Sequence, residues 1–148
     1  MLYETNLNQK LEKEEYKEKI EPLKAKMERL ALRVREEKLP VIILFEGFGA
    51  AGKGSMISKL IDNLDPRGFS VHTIAKPTET ELRMPPMWRY WNTIPQYGQI
   101  SVMDRSWYRD VSVDSVADFE RTDVIEQGLE DIRCFERQLV DGGYLLIK

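Results

Sequence analysis

The stretch VIILFEGFGAAGKGS, residues 41–55, constrains the fold of this chain more than any other part of its sequence. Its first five residues, Val41–Phe45, are continuously apolar and rich in branched side chains, as in a strand that is covered on both faces of a parallel sheet. A glycine-rich loop follows at once, and apolar residues then recur from Met56 to Leu64 at helical spacing. Strand, glycine loop and helix in this order predict an α/β protein with a phosphate-binding loop after its first strand.

The loop has the spacing Gly47-x-x-x-x-Gly52-Lys53 of a Walker A motif. In such a loop, backbone N–H groups and the N-terminus of the next helix cradle phosphate oxygens, and the lysine reaches the outer phosphates. A glycine loop without this lysine, strand and helix would more often be an ordinary tight turn. Most Walker A loops place Ser or Thr after the lysine as a Mg²⁺ ligand, whereas this loop has Gly54 there. The metal must therefore find other ligands. The predicted phosphate-binding residues of the loop are Gly47, Gly49, Ala50, Ala51, Gly52, Lys53, Gly54 and Ser55.

An aspartate at the end of a later strand is the candidate metal ligand. The apolar run Ile100–Met103 ends in Asp104, which is the Walker B arrangement, where a carboxylate holds Mg²⁺ directly or through water. Arg105 follows and can offer its planar guanidinium to two phosphate oxygens at once. We predict Lys53, Asp104 and Arg105 as the catalytic residues. The alternatives are helix capping by Asp104 and a structural ion pair of Arg105.

The remaining periodicities predict an alternation of strands and helices. Strands are expected at 69–75 and 144–147, a helix start near Thr78, a short helix within 83–98, and a long helix from Thr122 to the glycine pair at 142–143. Such alternation predicts a parallel sheet with right-handed crossovers and its ligand at the carboxyl ends of the strands. Three cations should surround those ends and form a basic rim for a polyanion, with surface solvation as the alternative. They are Lys76, Arg83 and Arg89.

The first part of the chain predicts helices that carry no chemistry. Residues 8–37 are dense in Glu and Lys, with Leu23, Met27, Leu30 and Val34 on one apolar stripe. Because Pro22 disfavours a helix interior, we expect a short leading helix followed by a main one, the alternative being one kinked helix. Its expected role is packing against the core or a partner subunit of a homo-oligomer. We expect a helical extension over residues 1–38 and a kinase-like core over 39–148.

Length and composition exclude several classes of protein. With 148 residues and 42% hydrophobic residues, the chain suits one globular domain. No apolar stretch approaches a membrane span or a signal peptide, and we expect a cytoplasmic protein without a membrane partner. Cys134 and His72 are the single cysteine and the single histidine, which excludes an internal disulfide and a His/Cys zinc site. The net charge of −3 argues against a nucleic-acid partner.

Taken together, the motifs resemble the type-2 polyphosphate kinases, which include the polyphosphate:AMP phosphotransferases. The segments that carry the resemblance are EGFGAAGKGS (46–55), LDPRG (64–68), KPTETELR (76–83), RMPPMWRYW (83–91) and MDRSWY (103–108). The resemblance implies a three-layer P-loop kinase core that moves a phosphoryl group between inorganic polyphosphate and AMP, ADP or ATP with Mg²⁺ as cofactor. It also implies that Lys53 contacts the transferred phosphate, Asp104 binds the metal, Arg105 holds polyphosphate or the transition state, and Arg89 lines the polyphosphate channel.

Two features of the family are absent from this sequence. Its members generally carry an acidic residue at the third loop position, which is Gly49 here, and their domain continues past the fourth strand into a lid helix. The resemblance therefore implies a domain that is incomplete at its C-terminus. It leaves two functions open, a phosphotransferase or a degenerate module without catalysis that binds polyphosphate or nucleotide or serves in oligomerisation. An ordinary ATP-dependent nucleotide kinase is a third alternative.

Overall fold

The computed structural model describes residues 10–112 and 122–148, which are built around a four-stranded parallel sheet. Its strands are β1 (Val41–Phe45), β2 (Phe69–Thr73), β3 (Ile100–Asp104) and β4 (Leu145–Ile147). Their spatial order is β2–β3–β1–β4, and each neighbouring pair is parallel. The four predicted strands and the parallel α/β fold are confirmed, although β2 and β4 are slightly shorter than expected.

The register aligns the carboxyl ends of three strands at one edge of the sheet. Phe45 at the end of β1 pairs with Asp104 at the end of β3, and Asp104 pairs with Thr73 at the end of β2. The segments that leave these strands therefore start side by side. For this reason the glycine loop after β1 and the Arg105 turn after β3 lie next to each other.

Helices cover both faces of the sheet. On one face lie α1 (Lys13–Glu36) and α2 (Lys53–Ile61), and on the other lie α3 (Trp88–Trp91), the 3₁₀ helix Trp107–Val111 and α4 (Thr122–Asp141). Successive residues of β1 point to opposite faces, so that Ile43 packs with the first group and Ile42 with the second. The result is the three-layer arrangement that the resemblance implied. Within the described ranges, no helix is both long and apolar enough to cross a membrane.

The prediction of a short leading helix before a main one is wrong. A single α-helix, α1, runs for 24 residues with Pro22 in its interior. Proline lacks the N–H of one helical hydrogen bond, but the Glu- and Lys-rich turns before it have high helix propensity. The turns after Pro22 are anchored to the core by Met27, Ala31 and Val34. The helix therefore continues past Pro22, because helix propensity stabilises the turns before the proline and core packing stabilises the turns after it.

The helix expected near Thr78 is a single 3₁₀ turn, Glu81–Arg83. The predicted capping box is present, since the Thr78 N–H donates to Glu81 Oε2 at 2.7 Å and the Glu81 N–H donates to Thr78 Oγ1 at 3.3 Å. Met84, which precedes Pro85, is extended at φ −95° and ψ 160°. A residue before proline is disfavoured in the helical region, and the helix therefore stops after one turn.

Candidate active site

The glycine loop joins the carboxyl end of β1 to the N-terminus of α2. Gly52 is the N-cap of α2 and has φ 87°, a left-handed conformation that glycine adopts without strain. Gly47, at φ 148°, and Ala50, at φ 60°, also have positive φ. The first N–H groups of α2 have no partner within their own helix and open onto the loop. A helix N-terminus that follows a glycine-rich loop is a backbone arrangement that suits an anion.

Lys53, the first residue of α2, turns its ammonium back over the loop. Its Nζ donates to the carbonyl oxygens of Gly47 at 3.0 Å and Phe48 at 2.9 Å. Both acceptors are neutral, and hydrogen bonds between charged partners are roughly twice as strong as neutral ones. A phosphate oxygen in the loop can therefore compete with these carbonyls as the partner of the ammonium.

Asp104 and Arg105 lie beside the loop because β3 and β1 are neighbours in register. The Arg105 N–H donates to Phe45 O at 2.9 Å, and the Ile74 N–H donates to Asp104 O at 3.0 Å. Arg105 has φ 64°, which costs a residue with a Cβ about 1–2 kcal/mol. Strained backbone of this kind clusters at functional sites. The structure thus brings Lys53, Asp104 and Arg105 to the same edge of the sheet.

Two residues that the sequence reasoning missed fix this turn. Ser106 is fully buried, and its hydroxyl donates to Glu46 Oε1 and accepts from the Tyr108 N–H at 3.3 Å. Glu46 is the residue directly before Gly47, so this bond ties the start of the loop to the segment after Asp104. Glu46 directly follows β1, just as Arg105 directly follows β3. This equivalent position after a strand was the signal in the sequence that could have identified Glu46 as a residue of the site.

The three cations of the predicted rim differ in their surroundings. Arg89 donates from Nη2 to Ala75 O at 2.9 Å, and its Nε lies 3.6 Å from Glu81 Oε1. Its Nη1 is buried and has no hydrogen-bond partner within residues 10–112 and 122–148. Arg89 therefore holds the turn after β2, whereas Lys76 and Arg83 are exposed on the same segment. Their role as a rim for a polyanion stays a prediction.

A carboxylate on α4 holds the 3₁₀ helix that follows Ser106, and it too was missed. Glu136 accepts hydrogen bonds from Trp107 Nε1 at 2.9 Å, Tyr108 Oη at 2.7 Å and Lys148 Nζ at 2.6 Å. Burial raises the pKa of Glu136, but these hydrogen bonds outweigh burial, and the pKa lies below its ordinary value. The ionised form of Glu136 is therefore the one that the fold stabilises.

The carboxylates of the site suit a metal that arrives with phosphate. The described residues contain no group of three or more His, Cys, Asp or Glu side chains that could hold a metal ion. Mg²⁺ in phosphoryl-transfer sites usually needs only one or two carboxylates, because phosphates and water complete its shell. Asp104, at the strand end beside the loop, fits that requirement, and Glu46 supplies a second carboxylate at the same edge.

Comparison with known proteins gives concordant matches in sequence and fold. The family model for polyphosphate kinase 2 matches residues 10–148. The chain is 37% identical over 151 residues to a polyphosphate:AMP phosphotransferase of Pseudomonas aeruginosa, covering all of this chain and 30% of the relative. It is 35% identical to an ADP-polyphosphate phosphotransferase of Rhizobium meliloti, covering 94% of this chain and 46% of the relative.

Two solved structures have a similar fold. The crystal structure of polyphosphate kinase 2 from Arthrobacter aurescens superposes with a TM-score of 0.86 at 24% identity, covering 98% of this chain and 53% of the other. That of a putative polyphosphate kinase 2 from Pseudomonas aeruginosa gives a TM-score of 0.87 at 28% identity, covering 99% of this chain and 32% of the other. The chain thus spans about a third to a half of the length of these relatives.

Proposed function

Because the chain belongs to the polyphosphate kinase 2 family, we propose that it is the phosphate-binding part of a polyphosphate-dependent nucleotide phosphotransferase. In the proposed reaction, an oxygen of the terminal phosphate of AMP or ADP bonds to the last phosphorus of a polyphosphate chain. The bond from that phosphorus to its bridging oxygen breaks, giving ADP or ATP and a polyphosphate that is one unit shorter. The observation that carries the proposal is the Lys53 ammonium, which lies inside the glycine loop at the edge where Asp104 ends β3.

We assign each residue of the site a role that is consistent with its position. The loop N–H groups and Lys53 hold the transferred phosphate, and Arg105 meets the charge that develops on its oxygens. Asp104 would hold Mg²⁺, which neutralises phosphate charge when it is bound. In this mechanism the protein forms no covalent bond to the substrates. It contributes by positioning them and by stabilising charge, which is how most phosphoryl-transfer enzymes work.

The proposal is tested by nucleotide product formation. The chain is incubated with Mg²⁺, polyphosphate and either AMP or ADP, and products are separated by ion-exchange chromatography. Lys53→Met and Asp104→Asn should each lower the rate at least about a hundredfold, since such interactions act mainly in the transition state. Lys59→Met is the matched control, because Lys59 lies on the same helix but is exposed and pairs with Asp62. A product yield in the unsubstituted chain that does not exceed that of Lys53→Met argues against catalysis by this chain.

A second candidate is a module that binds polyphosphate without catalysis, and Gly49 favours it. The residue lacks the carboxylate that the family resemblance leads one to expect in the loop. A Cβ built at Gly49 meets no described atom within 4 Å, and the φ of Gly49 is not positive, so the backbone accepts a residue with a side chain there. Under this alternative, polyphosphate binds the chain, and Lys53→Met weakens that binding. Turnover appears only after Gly49→Asp. Turnover before that substitution supports the enzyme.

A further inference from the structure

Helix α1 carries an apolar seam that the fold covers only on one side. Apolar residues occur at 16, 20, 23, 27, 30 and 34, with alternating steps of four and three, which is the spacing of a coiled-coil seam. One row of this seam, represented by Met27 and Val34, packs on the core. The other row is open, with Leu23 58% and Leu30 43% exposed.

The open row forms one wall of a groove between α1 and α2. Leu23 and Leu30 face Met56 and Leu60 of α2, and Phe45 at the end of β1 also lines the groove. Met56 is 60% exposed, which is high for a large apolar side chain beside other apolar residues. Contiguous apolar surface of this kind marks interaction sites in soluble proteins. Because two helices supply the walls of the groove, we expect its occupant to be a third helix.

The charged residues that line the groove are all basic. They are Lys24, Lys26 and Lys59. Lys19, Lys26 and Arg33 form a cationic row beside the open apolar row, at the same seven-residue spacing. No glutamate of α1 occupies a position that flanks the seam. The glutamates of this helix are Glu14, Glu15, Glu18, Glu21, Glu28 and Glu36. Four of these cations already pair with a carboxylate three or four residues away, namely Lys19 with Glu15, Lys24 with Glu21, Arg33 with Glu37 and Lys59 with Asp62. Exposed pairs of this kind are worth little and can exchange partners.

We infer that this groove binds an amphipathic helix of a partner whose apolar stripe is flanked by Asp or Glu. Apolar residues of that helix would fill the space between Leu23, Leu30 and Met56, and its carboxylates would pair with the lysines at the rim. The same face of a second copy does not fit, because it would set the cationic row of one α1 against that of the other. The apolar face of α4 does not fit either, since Ile132, Phe135 and Leu139 are buried in its own core.

The position of the groove connects this partner to the phosphate site. Met56 lies three residues after Lys53 on the same short helix, and Phe45 lies two residues before Gly47. A helix seated between them contacts both ends of the glycine loop segment. The inference stands independently of the catalytic proposal, because none of the residues that line the groove is among those proposed to bind phosphate or metal.

The test uses two synthetic peptides of about four heptads, with Leu at a and d and either Glu or Lys at e and g. Each fluorescently labelled peptide is titrated with the full chain, and binding is followed by anisotropy. The Glu peptide should bind, and its affinity should fall as the salt concentration is raised. The Lys peptide should not bind. Leu23→Gln combined with Leu30→Gln should lower the affinity for the Glu peptide at least about tenfold, from the lost burial of two leucines.

Leu32→Gln provides the matched control. Leu32 is 55% exposed on the same helix but lies outside the groove, so this variant should bind the Glu peptide as the unsubstituted chain does. The inference is overturned by equal binding of both peptides, by failure of the Glu peptide to bind, or by an equal loss in Leu32→Gln. Self-association of the chain that Leu23→Gln abolishes would assign the groove to a second copy instead. Binding to phosphatidylglycerol vesicles that the same change abolishes would assign it to a membrane.

Discussion

Glu136 offers a direct test of what holds the turn after β3, because glutamine preserves its shape and removes its charge. The side chain is 15% exposed and accepts hydrogen bonds from Trp107, Tyr108 and Lys148. Glutamine can still accept at one oxygen, so the bonds from the two aromatic residues can persist. The Lys148 ammonium, however, loses the carboxylate that lies 2.6 Å away.

The expected cost of Glu136→Gln at neutral pH is about 1–2 kcal/mol in the free energy of unfolding. Hydrogen bonds to charged groups contribute about 1.5–3 kcal/mol, and this figure is reduced here because Lys148 is half exposed and solvent screens the pair. For a chain of this size, about 1 kcal/mol corresponds to about 2–4 °C in Tm. Thermal unfolding followed by circular dichroism measures the difference, and urea unfolding gives the free energy directly.

The pH dependence separates the charge of Glu136 from its packing. The pKa of Glu136 lies below its ordinary value of 4.5, so the folded state favours the carboxylate. Its contribution is complete above that ordinary value and is lost as the pH falls through the lowered value of the folded state. The gap in stability between the unsubstituted chain and Glu136→Gln should therefore close in acid below about pH 4.5.

The control for this experiment is Glu130→Gln on the same helix. Glu130 is 59% exposed and pairs with Arg133 at 3.2 Å, so its loss should cost under about 0.5 kcal/mol. A cost for Glu136→Gln that is no larger than that of Glu130→Gln refutes the reasoning. A gap that stays constant from neutral to acid pH refutes the charge-based explanation.

Three further substitutions probe the turn and its supports. Gly128→Ala places a Cβ 2.5 Å from Val111 Cγ1, so overpacking should cost about 1–3 kcal/mol despite better helix propensity, and Val111→Ala should restore most of the loss in thermal unfolding. Ser106→Ala removes the buried hydroxyl that donates to Glu46, which should lower the free energy of unfolding by about 1–2 kcal/mol. It should also weaken polyphosphate binding in calorimetry. If both the stability and the affinity are unchanged, this hydrogen bond does not have the role assigned to it. Arg105→Gly removes the guanidinium and should lower the affinity for polyphosphate in calorimetry. An unchanged affinity would exclude Arg105 from the site.

The parts of the fold that the sequence predicted well are those with a local pattern. The continuous apolar run Val41–Phe45 and the apolar residues of α4 at helical spacing each lie within one element, and both elements formed where expected. The failures at Pro22 and Thr78 have a common cause. Each depended on whether the neighbouring segment supports a helix, and that was decided by the anchors on the core in one case and by Pro85 in the other.

The supports of the site could not be predicted in the same way, because they join residues that are far apart in the chain. Glu136 meets Trp107 and Tyr108 only because α4 packs against the 3₁₀ helix on one face of the sheet. The bond from Ser106 to Glu46 exists only because β1 and β3 are adjacent and in register at their ends. A single sequence contains the residues of such contacts but not the register that brings them together.

Gly49 shows how geometry can separate what the backbone needs from what the chemistry needs. Gly47 and Gly52 have positive φ values, so the shape of the loop depends on glycine at both positions. Gly49 has no such φ, and a Cβ there meets nothing within 4 Å in the part of the chain that the structure describes. The fold therefore does not require glycine at 49, and the missing carboxylate is a difference in chemistry alone. For this reason Gly49→Asp should leave the Tm within about 2 °C, as expected of a surface substitution, and any change it causes in Mg²⁺ dependence can be assigned to the carboxylate.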